Sequence, residues 1–160
     1  MEELAAPLVS VLLPVRTWRS TTVEAVTSLL NQSLHQTEIL LIGHDDIDLI
    51  VKRLPYDPRI KGIAREGSGI VAALNTGLKK ARAPFIARMD DDDIAYPDRL
   101  EKQLAYLQSN PDVQLCATRI RFIDEQGTTT GVKAGNTRYE HWLNSLSTVP
   151  YTHLTLPTKA

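Results

Sequence analysis

Short apolar runs alternate with amphipathic segments along most of this chain, and that alternation leaves few folds open. Residues 8–13 (Leu-Val-Ser-Val-Leu-Leu), closed by Pro14, read as a buried strand. Ser20-Thr21-Thr22 offers an N-cap to a helix that ends near Asn31, with Val23, Val26, Leu29 and Leu30 at three-and-four spacing. Residues 38–42, closed by Gly43, form a second strand. A short helix over 46–54 follows, with Ile47, Ile50, Val51 and Leu54 on one face and Pro55 as its stop. A weaker strand covers 59–64, and Gly67-Ser68-Gly69 opens a helix lined on one side by Ile70, Leu74, Leu78 and Ala81. Residues 84–89 make the fourth strand. Pro97 then starts a helix that carries Leu100, Leu104 and Leu107 to Asn110-Pro111. Residues 113–123 read as one extended strand and Glu125-Gln126-Gly127 as a turn. Strands and helices at this spacing predict an α/β fold: a mainly parallel, Rossmann-like sheet with helices on both faces.

At 160 residues the chain is long enough for one domain with a real core. That domain is expected over 8–146, where Tyr139, Trp142, Leu143 and Leu146 make a last helix. Residues 147–160 have no periodicity of either kind, and the wording of 151–160 resembles translated non-coding or adaptor sequence. The net charge of −1 gives no general attraction to nucleic acid or anionic membrane, so no nucleic-acid partner is expected. The single Cys116 excludes an internal disulfide, fits a reducing compartment and, between Leu115 and Ala117, reads as a buried bystander. No apolar run approaches the roughly 20 residues that span a bilayer, and Glu2-Glu3 with Pro14 does not read as a signal peptide. The expectation is a cytoplasmic protein, with peripheral association at the inner membrane as its variant.

The chemistry sits after the fourth strand. Asp90-Asp91-Asp92-Asp93 follow one another directly. Four like charges in a row repel, and folding alone supplies no reason to gather them. A bound cation does, because Mg²⁺ and Mn²⁺ prefer hard oxygen ligands and are shared between carboxylates and a substrate's phosphates. At the carboxyl end of a strand in an open α/β sheet, such acids fall in the crevice where these sheets bind ligands. The reading is a metal-assisted nucleotide site, with a solvated helix-capping cluster as the alternative. An EF-hand fails. Asp90, Asp92 and Glu101 occupy its first, third and twelfth positions, but Ile94 and Ala95 stand at the fifth and at the glycine position. Neither a Gly-rich Lys-Ser/Thr loop nor GxGxxG occurs.

Several segments, in order, resemble the nucleotide-sugar domain of family 2 inverting glycosyltransferases, which have the GT-A fold. They are Val9-Ser10-Val11-Leu12-Leu13-Pro14-Val15, Ser28-Leu29-Leu30-Asn31-Gln32-Ser33, Glu38-Ile39-Leu40-Leu41-Ile42, and the stretch from Gly69 to Leu78. The acids from Asp90 to Asp93 and Pro97-Asp98-Arg99-Leu100-Glu101-Lys102-Gln103 complete the series. The resemblance implies a DxD motif in which Asp92 is the metal ligand and Asp90 meets both ribose and metal, the ion being Mn²⁺ or Mg²⁺. Asp91 belongs to the same donor site, and Asp93 is an acceptor-side or supporting carboxylate. It also implies a base pocket built from Pro14, Val15 and Arg16, from Gly43, His44 and Asp45 at the end of the second strand, and from Arg65. Gly69 and Asn75 are then donor contacts at the following helix.

Two departures from the family pattern stand out. Arg16-Thr17 replaces the usual Tyr-Asn pair, and Gly43-His44 stands where paired acids usually read the base. Either Asp45 serves from a shifted loop or the base contact differs, with His44 read as an exposed loop histidine. The implied partners are a nucleoside-diphosphate sugar (a UDP-sugar by default) and a glycan or lipid-linked acceptor, in polysaccharide or glycoconjugate synthesis. The family's general base is expected to be absent from this chain, since Asp124 and Glu125 read as turn residues and neither His141 nor His153 has a motif around it. A non-catalytic nucleotide-sugar-binding fragment and a sugar-phosphate nucleotidyltransferase are the competing readings. The latter wants a glycine-rich loop after the first strand, and residues 14–20 hold no glycine.

Overall fold

A computed structural model describes residues 5–118, 120–124, 126–133 and 154–155. Four parallel strands form its centre: β1 (Val9–Pro14), β2 (Thr37–Gly43), β3 (Ile60–Ala64) and β4 (Phe85–Arg88). Between them run α1 (Ser20–Leu30), α2 (Ile47–Val51) and α3 (Gly69–Lys80), and α4 (Arg99–Ser109) follows β4. The shorter strands β5 (Leu115–Cys116), β6 (Ile120–Ile123), β7 (Thr129–Lys133) and β8 (Leu154–Thr155) complete the described elements. The main sheet has the order β3-β2-β1-β4-β8-β5, with β8 antiparallel to both its neighbours. β6 and β7 pair as a separate antiparallel ribbon.

Every residue of β2 and all but the last of β1 are buried, as expected where helices cover both faces of a parallel sheet. Alternate side chains divide between two cores. Val9, Val11 and Leu13 join Ile39, Leu41 and Ala87 under α1 and α4, with Val26, Leu29, Leu100 and Leu104. Leu12, Leu40, Ile42 and Ile86 face α3 through Ala73. Each fully buried leucine or isoleucine of this kind stabilises the fold by about 1.5–3 kcal/mol.

Three expectations need correction. Residues 113–123 are not one strand: β5 stays in the main sheet, and β6 turns away to pair with β7. Gly127, at φ 77°, closes that hairpin, and Asp124 Oδ1 accepts from the Gln126 and Thr128 amides. The buried face of α3 is Ala73, Thr76 and Gly77, while Ile70 and Leu78 remain 49% and 45% exposed. The helix lies so close to the sheet that a Cβ on Gly77 would stand 2.6 Å from Ile42 Cδ1, so only small residues fit the contact line. The N-cap of α1 is Arg19 and makes no side-chain cap, rather than the hydroxyl cap expected of Ser20, Thr21 or Thr22. The helix expected around Tyr139, Trp142, Leu143 and Leu146 lies outside the described residues. Leu154–Thr155, within the stretch read as irregular, is strand.

The amino ends of the strands are tied by one buried carboxylate. Glu38, 2% exposed, accepts from Ser10 Oγ at 2.7 Å, the Arg82 amide at 2.8 Å and Arg82 Nε at 2.9 Å, and pairs with Lys61 Nζ at 3.3 Å. Ser10 Oγ in turn accepts the Ala83 amide at 3.0 Å. Burial alone would raise the Glu38 pKa, but the hydrogen bonds from Ser10 and Arg82 outweigh it and hold the carboxyl below its ordinary 4.5. A depressed carboxyl pKa gives stability that is present above pH 4.5 and lost as the pH falls through the folded-state value. Glu38→Gln should therefore destabilise the protein by about 2–4 kcal/mol at neutral pH. Urea unfolding of both proteins should show that gap narrowing as the pH is lowered below 4.5; a gap that stays constant would remove the carboxylate charge from the explanation.

Candidate functional site

From β1 the chain steps outward through β2 and β3, then returns to lay β4 on the other side of β1. Connections diverge at such a switch point and leave a crevice outside the carboxyl ends of the strands. The crevice here is a cleft of about 660 Å³. Pro14, Val15 and Arg16 line it from the end of β1, Arg65 and Gly69 from the approach to α3, and Asp90, Asp91 and Asp92 from the end of β4. Gly43 permits this assembly: a Cβ there would stand 2.9 Å from the Val15 carbonyl oxygen and 2.8 Å from Ile47 Cδ1. Gly69, at φ 84°, turns the chain into α3. The first amides of that helix have no side-chain cap and lie beside the cleft.

Two residues expected at the site are not brought to it. Asp45 is exposed and off the cleft, because β2 ends at Gly43 and the chain turns at once into α2, the Ile47 amide donating to the His44 carbonyl. His44 lines the cleft instead. Asn75 faces a separate groove with Glu66, Ser68 and Lys79, two residues round the helix from the sheet-facing Ala73.

The four acids have partners from three elements. Arg88 Nη2 donates to Asp90 Oδ1 at 2.7 Å, and Arg19 Nη1 lies 3.9 Å from Asp92 Oδ2. Thr22 Oγ1 donates to Asp91 at 3.4 Å. Burial and then the neighbouring Asp92 push the Asp91 carboxyl up, against Arg19 and Thr22. Burial, then Asp90 and Asp92, push Asp93 up to about 6, against the pull of Arg99. Arg99 is 1% exposed beneath the loop, with Nε on Gln103 Oε1 at 3.2 Å, Nη1 on Met89 Sδ at 3.3 Å, and Nη2 without a hydrogen-bond partner. Burial lowers its pKa to about 9 while Asp93 opposes, so it is cationic at neutral pH.

Residues of α1 and of the turn just after it clamp the segment that follows the acids. Ser28 Oγ accepts the Ala95 amide at 3.0 Å. Gln32, 1% exposed, donates to the Tyr96 carbonyl at 2.6 Å and accepts the Leu100 amide at 3.0 Å. Beside this segment a second cavity of about 380 Å³ shares Asp92 with the cleft and is lined further by Asp93, Tyr96 and Arg121.

No three His, Cys, Asp or Glu side chains among the described residues converge to hold an ion unaided. Mg²⁺ and Mn²⁺ are ordinarily held by one or two carboxylates with substrate phosphates completing the shell. Asp90 and Asp92, both on the cleft and 40% and 56% exposed, fit that kind of site.

Against this geometry, the family model "Glycosyl transferase family 2" matches residues 10–156. The chain belongs to that family. An O-antigen biosynthesis glycosyltransferase of Escherichia coli is 34% identical over 125 residues, covering 75% of this chain and 49% of that protein. An amylovoran biosynthesis glycosyltransferase of Erwinia amylovora is 32% identical over 109 residues, covering 65% and 41%. The chain spans less than half the length of these family 2 relatives. Among solved structures, a mannosyltransferase of Pyrobaculum calidifontis in complex with GDP-Man and Mn²⁺ superposes with a TM-score of 0.62 at 22% identity, over 72% of this chain and 36% of that one. A 4-diphosphocytidyl-2C-methyl-D-erythritol synthase of Anaerococcus prevotii reaches 0.61 at 13% identity, over 94% and 71%. At those identities the likeness shows the fold, which is GT-A.

The family-like segments already held Gln32 and Arg99, and His44 stood at the end of the second strand, but their contacts did not follow from the sequence. Arg19 carried no signal, and Arg88 only its place two residues from Asp90. Each depends on a partner distant in sequence or on the local turn. The raised carboxyl of Asp93 gives a test of the charge balance. Below its ordinary 3.8 the group is protonated folded or unfolded and costs nothing; the cost of its charge grows as the pH rises to about 6 and then levels. Asp93→Asn should therefore raise the thermal midpoint at pH 7 in a chelator, with the gain vanishing by pH 4. A gain of equal size at both pH values would assign the effect to packing.

Proposed function

We propose that this chain holds a nucleoside-diphosphate sugar in the cleft above β1, β2 and β4, and serves metal-assisted transfer of the sugar, with inversion, to a hydroxyl of a glycan or lipid-linked acceptor. The observation that carries the reading is the acid loop at the sheet's switch point, in a chain of glycosyltransferase family 2. The mannosyltransferase of like fold, solved with GDP-Man and Mn²⁺, supports both the donor class and the ion. The O-antigen and amylovoran names of its relatives support polysaccharide synthesis. Cys116, buried and with its thiol pushed up to about 11 by burial, fits a reducing compartment and takes no part.

In this reading Asp90 and Asp92 hold the divalent ion, Mn²⁺ or Mg²⁺, against the diphosphate. Such an ion neutralises the charge that develops on the departing diphosphate as the anomeric bond breaks. Asp90 also meets the ribose, and Asp91, under Thr22, supports the loop from within. Pro14, Val15 and Arg16 flank the nucleoside, and Gly69 lets the backbone pass close to it. The uncapped amides at the start of α3 favour the anionic part of the donor. Inversion requires the acceptor hydroxyl to approach from the side opposite the leaving group. The second cavity, which shares Asp92 and adds Asp93, adjoins the cleft, and this reading gives it to the acceptor. Deprotonation of the hydroxyl is assigned to no residue of this chain.

Calorimetric titration with nucleoside diphosphates, with and without Mn²⁺, tests the site. Binding should require Mn²⁺ and fall by about a hundredfold or more in Asp92→Ala, a loss on the order of that for removing one charged partner from a metal-bridged contact. Metal-independent binding, or an unaffected Asp92→Ala, would take the acids out of the donor site.

A further inference from the structure

The two carboxylates given to the divalent ion each carry an arginine already. Arg88 Nη2 donates to Asp90 Oδ1 at 2.7 Å, and Arg19 Nη1 stands 3.9 Å from Asp92 Oδ2. They reach the acids from opposite faces of the sheet. Along β4, Ile86 faces the core under α3 and Ala87 the core under α1 and α4, so Arg88 stands on the α3 side. Arg19 is the N-cap of α1, on the other side. Neither arginine is explained by the element that holds it. Arg88 ends a strand whose other three residues are apolar, and its Nε is buried without a hydrogen-bond partner. Arg19 sets a cation at the positive end of a helix dipole, where carboxylates are favoured, and α1 has no acidic residue in its first turn to offset it. What the two share is the acid loop.

We propose that Arg88 and Arg19 are exchangeable counter-ions, which yield Asp90 and Asp92 to the divalent ion and pass to the diphosphate of the donor. A guanidinium and a divalent ion on one carboxylate repel each other, and the ion has the higher charge. Two monovalent cations leaving for one divalent ion also keep the charge balance at the four acids. The diphosphate then offers the released guanidiniums oxygens that they bind through paired N–H groups. The arginines thus oppose the ion when it comes alone and favour the nucleotide that comes with it, which couples the two ligands. Both pairs are partly exposed, and such pairs are weak enough to exchange. Arg99, buried beneath the loop, keeps its place. The proposal rests on Asp90 and Asp92 being the ion's ligands in the donor cleft.

Two affinities test it, in the wild type, Arg88→Gln, Arg19→Gln and Arg88→Lys, each first shown to be folded by circular dichroism. Mn²⁺ alone is titrated and followed by the electron paramagnetic resonance of the free ion. UDP and GDP are titrated by calorimetry at saturating Mn²⁺. Each glutamine variant should bind Mn²⁺ alone about two- to fivefold tighter, and the nucleotide weaker by a similar factor. Opposite signs separate exchange from simple support, because a loop loosened by the substitution loses affinity for both. Arg88→Lys keeps the charge and should stay near the wild type in both titrations. Any other pattern in a glutamine variant, loss of both affinities above all, overturns the exchange for that arginine. A wild type that binds neither nucleotide, or Mn²⁺ binding that Asp92→Ala leaves intact, overturns the metal-assisted donor site and this proposal with it.

Discussion

The parallel sheet depends on its register, and the register is pinned at one point. Glu38 gathers Ser10 of β1, Lys61 of β3 and the Arg82 amide before β4 onto its own strand, so the amino ends of four strands meet at one carboxylate. A parallel sheet has no hairpins to set its pairing, and a slip of one residue would send each apolar side chain to the wrong core. Because the strands rise together from Glu38, their carboxyl ends arrive level, which is what places Pro14, His44 and Asp90 around one cleft. The clamp is far from the chemistry, yet it decides the geometry there. Removing one member of so buried a set leaves the others unpaired, which is where the cost lies.

At the opposite end of the sheet the electrostatics run the other way. The acid loop concentrates carboxylates where folding gains nothing from them, and two of the four have raised pKa values because burial and like charge disfavour ionisation. Arg88, Arg19 and Arg99 offset part of that cost from three different elements. Arg88 and Arg19 are partly solvent-exposed pairs, weak enough to give way to a divalent ion. Arg99 is locked in the core with one nitrogen unpartnered and has nowhere to go. A fold that keeps stress at its site and rigidity at the other end is of the kind expected where function sets the local composition.

Much of this was legible in the residues. Continuous apolar runs marked the strands, because a strand covered on both faces has no polar side to alternate with. The acids pointed to the crevice, because four like charges in a row repel and a bound cation offers a reason to gather them. The readings that failed did so where a neighbour decided the outcome. Ile70 and Leu78 look like a core face at helical spacing, but the helix sits so close to Ile42 and Leu12 that only Ala73, Thr76 and Gly77 fit beneath it. Residues 113–123 look like one strand, but β6 has a better partner in β7 than in the main sheet. Glu38 was visible only as a polar residue in an apolar run, and its partners stand 28 and 44 residues away.

The order of elements and the position of Asp90 to Asp93 at a strand's carboxyl end follow from local periodicity and composition, since the polypeptide carries those signals within a few residues of each other. A cation for the acids could be proposed on chemistry alone, beside a solvated helix-capping cluster. What they face could not. Sheet order, not chain order, sets His44 two strands and Arg65 three strands from the acids, swings Asp45 out of the cleft at the Gly43 turn, and aims Arg19 at Asp92 across 73 residues. These are contacts between segments that only the packed sheet brings within reach, and hydrogen bonding and charge act over ångströms in space, whatever the separation along the chain.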